Sequence, residues 1–184
     1  MAESQWETIR SEGLEQGDFI SNCFVPVYDE EIAVALQRGD EDSPVGFDSV
    51  DVVVLSQSCD LARLDYAITC RAYGIPQLHA LNSSLTSKTF LSDAVAGRRP
   101  QFHVLGGQAK PDDPFDSLVV DFRQVFSVPI RYLREHAKGL GERYRLRPPF
   151  REKFAQSAGL FIMRVATPGD PIRFPSGYEP PKGS

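Results

Sequence analysis

Short runs of β-branched and aliphatic residues, separated by polar segments rich in glycine and proline, recur along the chain and predict a fold rich in strands. The most apolar run covers residues 52–55 and does not alternate with polar positions. A strand of this composition is buried on both faces, so we expect it at the centre of a sheet. Further strands are predicted at residues 17–25, 66–73, 101–105 and 117–127.

Helical spacing is clearest in the last third of the chain. Apolar residues there recur at intervals of four, four, three and four, which predicts an amphipathic helix over residues 149–165 whose stripe packs in the core or forms an oligomer seam. The stripe consists of Phe150, Phe154, Ala158, Phe161 and Val165. Short helices are also predicted at residues 83–96, ended by Gly97, and at residues 129–137.

These elements indicate one β-rich α+β domain over residues 14–165. We expect a polar arm at residues 1–13 that is frayed or briefly helical, and an exposed connection at residues 26–49 with a helical turn at residues 30–37. Residues 166–184 form a proline- and glycine-rich tail, for which we expect an extended or disordered conformation.

The composition indicates a globular protein of the reducing cytoplasm. With 184 residues and 41% hydrophobic content, the chain is large enough to bury a core without disulfides. It contains no long apolar run, and its first residues lack the basic and apolar regions of a signal peptide, so we expect neither export nor a membrane span. Three cysteines without CxxC spacing fit reduced thiols better than a disulfide framework.

Charge is distributed unevenly. Residues 1–60 carry 14 acidic and 2 basic side chains, a net charge of −12, whereas residues 123–164 carry 3 acidic and 10 basic side chains, a net charge of +7. The basic part suits an anionic partner such as RNA, or the acidic part of the same molecule or of a neighbour. The net charge of the whole chain is −5, which favours the second interpretation, because general nucleic-acid binders are basic overall.

Five polar or thiol-bearing residues follow the predicted central strand. They are Ser56, Gln57, Ser58, Cys59 and Asp60. The carboxyl end of a core strand is a common place for binding and catalytic groups. In the alternative interpretation the hydroxyl, amide and carboxylate groups cap a turn, and the thiol is buried as a small apolar side chain.

A second candidate position lies on the strand predicted at residues 117–127. Strand alternation places Asp121 and Arg123 on the same face. They form either a surface ion pair that contributes little to stability or a cation that a carboxylate holds in place for function.

The order of a Gly-Asp strand, a loop, the VVVLS strand, another strand and the DSLVVDFRQV strand resembles the MazF/PemK family of bacterial toxins over residues 14–136. A closer likeness is to an uncharacterised family of bacterial proteins, and it implies no activity. That likeness is carried by QSCDL at residues 57–61, FHVL at residues 102–105 and PPFREKFAQSAGLFIMRVATP at residues 148–168.

The resemblance to the toxins implies a small SH3-like antiparallel barrel of five to six strands, with short helices and one C-terminal helix, in a bacterial toxin–antitoxin or anti-phage system. Those toxins are sequence-selective endoribonucleases with an RNA groove at a dimer surface. They carry an Arg just before the second hydrophobic strand and a Thr or Ser on the next strand. This chain has Asp51 before Val52, so that Arg is absent, although Thr69 matches the later hydroxyl residue.

Because the Arg is absent, we expect a binding, adaptor or effector module that acts through a protein partner or as a homodimer. A metal-independent endoribonuclease is the first alternative. It would use Asp60 or His103 as base and Arg123 as the cation for the phosphorane charge, and these three groups must then converge in one cleft. Its phosphate or ligand contacts would come from Ser56, Gln57, Ser58 and Thr69.

Two further chemistries use the cysteines. A hydrolase would pair the Cys59 nucleophile with His103 and an orienting Asp60. A structural zinc would take its ligands from Cys23, Cys59, Cys70 and His103. Zinc ligands usually occur in close pairs, and this sequence has none, so no cofactor is expected. We expect the two other histidines, His79 and His136, at the surface.

Overall fold

A computed structural model describes residues 4–11, 13–27, 34, 37–38, 46–106 and 117–163. This part of the chain contains seven strands: β1 (Trp6–Ile9), β2 (Asp18–Val27), β3 (Gly46–Val54), β4 (Tyr66–Gly74), β5 (Phe102–Gly106), β6 (Ser117–Pro129) and β7 (Arg143–Leu146). It also contains four α-helices: α1 (Ile75–Leu81), α2 (Lys88–Val95), α3 (Ile130–Leu140) and α4 (Phe150–Ile162). A 3-10 helix, Ser83–Thr86, precedes α2.

The strands form one antiparallel sheet in the order β1-β7-β2-β3-β4-β6-β5, so the fold is α+β as expected. The predicted central strand is β3, which pairs with β2 and β4. Its residues Val52, Val53 and Val54 are fully buried. Val52 and Val54 pack in the core on one face of the sheet and Val53 in the core on the other, which explains why this run does not alternate with polar residues.

The helices cover the sheet on both faces. Helix α3 covers the core that contains Val52 and Val54, through Ile130, Leu133 and Ala137. Helix α4 covers the opposite core. Four residues of its predicted stripe, Phe150, Phe154, Ala158 and Phe161, pack there, whereas the fifth, Val165, lies outside the described residues. A third, smaller core lies under α1 and α2 beside β5 and β6.

The sheet is coiled but not closed. Strands β1 and β5 are at opposite ends of the strand order, yet the Gly106 N–H of β5 donates to the Gln5 Oε1 just before β1, at 2.8 Å. Trp6 and Leu105 share one apolar core for the same reason. The coiling therefore brings the two edge strands together at one point without pairing them.

Three elements were not expected from the sequence. Strand β1 lies within the predicted polar arm, where Trp6 is 4% exposed and packs edge-on against Phe19. Strand β7 pairs with β1 and β2. Its sequence is Arg-Tyr-Arg-Leu, and both arginines are buried. Helix α1 begins directly after β4, with proline in its first turn.

A buried ion cluster joins β2 to β7. Asp18 is 0% exposed and accepts hydrogen bonds from the guanidinium groups of Arg143 and Arg145, at distances that include 3.1 Å for Arg143 Nε and 3.0 Å for Arg145 Nη2. Arg145 also donates to Glu15 at 2.6 Å. Both arginines donate to the carbonyl oxygen of Gly13. The cluster therefore supplies acceptors for cations that would otherwise be buried without a partner.

None of the helices in the described ranges is long and apolar enough to cross a membrane. The cytoplasmic location stays a prediction. The helical turn expected at residues 30–37 and the tail at residues 166–184 lie wholly or mostly outside the described residues.

Candidate functional site

The polar residues after β3 form a turn. The Ile68 N–H donates to Ser56 Oγ at 2.8 Å, and the Gln16 N–H donates to Ser58 Oγ at 3.1 Å. The N–H of Asp60 then donates to the Gln57 carbonyl at 3.0 Å. Both hydroxyl groups thus accept from backbone amides of neighbouring segments, as in the turn-capping interpretation of this stretch.

Cys59 is exposed in this turn. Its Sγ lies 3.7 Å from Gln57 Oε1 and 3.8 Å from Asp60 Oδ1, so the expected neighbour Asp60 is close. The expected histidine partner is elsewhere, because the His103 ring packs against Phe154 beneath α4. The structure therefore places only two of the three groups of the hydrolase hypothesis together.

The other two cysteines are buried on opposite faces of the sheet, Cys23 under α3 and Cys70 under α4. Burial raises the pKa of the Cys23 thiol to about 11 and that of the Cys70 thiol to about 12. Within the described ranges no three His, Cys, Asp or Glu side chains come close enough to hold a metal ion. Thr69 is fully buried, and its Oγ1 donates to the Phe126 carbonyl at 3.4 Å.

Arg123 is held as a cation on the side of the sheet that α1 and α2 cover. Its Nε and Nη2 donate to the two carboxylate oxygens of buried Asp121 at 2.9 and 2.7 Å, and this pairing raises the pKa of the Arg123 guanidinium. The guanidinium also lies 4.7 Å from the centre of the Phe102 ring. The predicted Asp121–Arg123 pair is therefore formed, with its guanidinium half-exposed.

His103 lies on the other face. Phe102 and His103 are consecutive residues of β5, so their side chains point to opposite faces of the sheet. The imidazole packs 5.7 Å from Phe154 and 6.0 Å from Phe122, measured between ring centres. Arg123 stacks on Phe102, so the structure does not bring His103 and Arg123 together, and Asp60 lies in the turn after β3. The convergence that the ribonuclease alternative requires is not found.

The environment of His103 lowers its basicity. Burial and, secondarily, the positive charge of Lys153 lower the pKa of the imidazole to about 4. At neutral pH the ring is therefore uncharged.

His103 faces a cleft with a volume of about 770 Å³. Strand β5 forms the floor of this cleft and supplies residues His103 to Gly106. One wall comes from α2 and contains Leu91 and Val95, and the other comes from α4 and contains Phe150 and Lys153. A cleft between two helices and the edge of a sheet is a common type of binding site.

The open edge of β5 points into this cleft. The Phe122 N–H donates to the Gln101 carbonyl oxygen, and the Gly106 N–H donates to the Gln5 side chain. These two bonds fix the alternation along β5. The backbone groups of residues 101, 103 and 105 face β6, whereas the N–H groups of residues 102, 104 and 106 point away from it. Val104 therefore directs its N–H and C=O out of the sheet. The Gly106 N–H, at one end of this edge, already has the Gln5 side chain as acceptor.

The described lining of the cleft carries positive charge. Lys88 and Lys153 are its charged lining residues, and neither takes part in an ion pair with a residue that the structure describes. The described lining contains no carboxylate. Sequence reasoning identified only His103 here, because two isolated lysines and Gln5 form no motif. The one sequence feature that indicates a sheet edge here is the short length of the strand predicted at residues 101–105.

The chain matches no protein-family model, and no curated protein sequence matches it. The site is therefore interpreted from its geometry and chemistry.

Proposed function

We propose that the protein is a binding module that holds an extended, acidic segment of a partner protein along the open edge of β5. The observation that carries this proposal is that the floor of this cleft is a strand edge with which no described strand pairs. An added strand gains main-chain hydrogen bonds at such an edge whatever its sequence, and the surrounding side chains select the sequence.

Backbone geometry supports strand addition. The Val104 N–H and C=O point into the cleft, and strand alternation also directs the carbonyl group of Phe102 outward. A bound segment can therefore pair with the middle of β5. The Gln5 side chain, which already accepts from Gly106, limits the pairing at one end.

The walls of the cleft indicate which side chains the segment carries. Successive side chains of an added strand point alternately to the two faces of the sheet. On the α2 face they meet Leu91 and Val95, and on the α4 face they meet His103 and Lys153. Because His103 is neutral at pH 7 and Lys153 is charged, apolar residues suit the first face and acidic residues the second.

This proposal specifies the expected binding or adaptor function. Four expectations remain predictions: the SH3-like barrel, membership of the MazF/PemK family, a toxin–antitoxin or anti-phage setting, and a homodimer. The coiled sheet supports the barrel expectation because its two edge strands meet at Gln5 and Gly106. RNA is the alternative partner, but the separation of His103 from Arg123 gives no support to cleavage by these groups.

The test is selection from a displayed library of random peptides of about ten residues, long enough to pair with all of β5. Selected peptides are then measured by fluorescence anisotropy on the wild type and on Val104→Pro and Lys153→Glu. Proline at an edge position removes the outward N–H and leaves the ladder to β6 intact. Arg63→Glu makes the same charge change on an exposed residue outside the cleft.

We expect the selected peptides to alternate apolar and acidic residues, and to lose about tenfold or more in affinity on Val104→Pro and Lys153→Glu but not on Arg63→Glu. Enrichment of basic peptides, or equal binding to the two cleft variants and the wild type, would show that β5 is not the binding edge.

A further inference from the structure

The cleft beside β5 is closed at one end by the segment that leads into β1. The Gly106 N–H donates to Gln5 Oε1 at 2.8 Å, and the Arg147 N–H donates to the Gln5 carbonyl oxygen at 2.9 Å. Because the Gly106 N–H points outward from the sheet, Gln5 occupies the place beside Gly106 that an added strand would take. We call this end of the cleft the closed end. An extended segment that pairs with Val104 cannot continue straight past it.

Helix α4 begins beside the closed end. Its first residue, Phe150, lines the cleft and follows Arg147 by three positions. One turn later, the ring of Phe154 packs 5.7 Å from the ring of His103, which is near the start of β5. The helix therefore runs from the closed end towards the start of β5. Side chains of a helix tilt towards its N-terminus, so the side chain of Lys153, which lines the cleft, extends towards the closed end.

The charge of the lining favours an anion in the cleft. Lys153 is on the α4 wall, and Lys88, the first residue of α2, is on the other wall. Neither lysine forms an ion pair with a residue that the structure describes. A carboxylate bound here gains charge-assisted hydrogen bonds, whereas an ammonium group is repelled.

A carboxyl terminus fits both the closed end and the charge. A segment that continues beyond its acidic residue must turn out of the cleft in front of Gln5, whereas a chain that ends there needs no exit. Its terminal carboxylate then lies at the end towards which Lys153 extends. The opposite orientation would bring an amino terminus to the same lysine. Charge therefore sets the direction of the segment, with its carboxyl end beside Gly106 and its course parallel to β5.

We propose, on the basis of the strand addition at β5, that the partner contributes its carboxyl-terminal segment and that the terminal carboxylate binds Lys153 at the closed end. The main chain of the segment pairs with Val104, and Lys88 adds to the positive potential. An internal acidic segment, whose charge comes from side chains alone, is the competing occupant.

The experiment uses the full chain and two displayed libraries of random peptides of about ten residues. Peptides of the first library end in a free carboxyl group, and those of the second continue into a constant Gly-Ser tail. The tightest binder is synthesised with a carboxylate and with a carboxamide at its end, and both forms are measured by fluorescence anisotropy. The variants are Lys153→Gln, Lys153→Arg and Val104→Pro. The control, Arg63→Gln, removes a charge from an exposed residue outside the cleft.

We expect binders from the first library alone, and about tenfold or more weaker binding of the carboxamide than of the carboxylate to the wild type. In Lys153→Gln this preference should fall to about threefold or less, because the cation that reads the terminus is gone. Lys153→Arg, which keeps the charge, and Arg63→Gln should retain the preference of the wild type.

The outcomes separate this inference from the function on which it rests. If the two peptide forms bind the wild type equally while Val104→Pro still weakens binding, the carboxyl-terminal assignment is overturned and strand addition at β5 stands. A preference that Lys153→Gln leaves unchanged also overturns the assignment. Binding that Val104→Pro does not weaken, or a selection that yields no peptide, overturns strand addition and this inference together.

Discussion

Replacing Asp18 by asparagine tests the buried ion cluster between β2 and β7. The substitution keeps the shape of the side chain but removes the charge and turns one acceptor into a donor. Asp18 accepts from Arg143 and Arg145, and one of its oxygens also accepts from the Glu15 N–H at 3.1 Å. Asp18, Arg143 and Arg145 are all almost fully buried, so water cannot take the place of the lost acceptor.

The expected loss is about 3–5 kcal/mol of unfolding free energy, the usual result of leaving a buried cation without its partner. Such a loss is a large part of the roughly 5–15 kcal/mol that stabilises a typical domain. With a urea dependence of about 2.5 kcal/mol per molar, the unfolding midpoint falls by about 1–2 M. Two milder variants give a graded series if Asp18→Asn does not fold.

In that series, Glu15→Gln removes a partly exposed acceptor of Arg145 and Arg151 and costs about 1 kcal/mol. Glu142→Gln removes an exposed pair with Arg10, whose side chain is 81% exposed, and costs at most about 0.5 kcal/mol. Urea unfolding followed by circular dichroism measures all three variants. The reasoning is refuted if Asp18→Asn unfolds within about 1 kcal/mol of Glu142→Gln.

Two further predictions concern titratable groups. The folded protein lowers the pKa of His103 from its ordinary 6.5 to about 4, so the unfolded chain takes up this proton first as the pH falls, and stability is lost between pH 6.5 and pH 4. Relative to His103→Gln, the wild type should lose about 2–3 kcal/mol between pH 7 and pH 4 in urea unfolding; His79→Gln, an exposed control, should behave like the wild type. In the native protein, Ellman's reagent should react fast with the exposed Cys59 and slowly with the buried Cys23 and Cys70. In denaturant all three thiols should react fast. Fast reaction of more than one thiol in the native protein would contradict the burial of Cys23 and Cys70.

The sequence predicted the elements whose apolar pattern is local and strong. The continuous valine run became the central strand β3, and the repeat of Phe150, Phe154, Ala158 and Phe161 became the buried face of α4. Patterns of this kind are readable because a residue's burial follows from its own position in a strand or helix.

Elements held by distant partners were not predicted. Strands β1 and β7 are short. The two arginines of β7 are buried because they bind Asp18, which is more than 120 residues away in the chain, so the local sequence does not indicate their burial. By contrast, the Asp121–Arg123 pair could be predicted from strand alternation, because both residues lie on one strand.

The sequence by itself determined a β-rich α+β fold, its central strand, its C-terminal helix and the Asp121–Arg123 pair. Only the tertiary structure decided which chemical groups meet. It separated His103 from Arg123 because consecutive residues of β5 face opposite sides of the sheet, and it placed His103 with Lys153 in a cleft that no motif marks. Local patterns determine which residues are buried, whereas the coiling of the sheet determines which of them become neighbours.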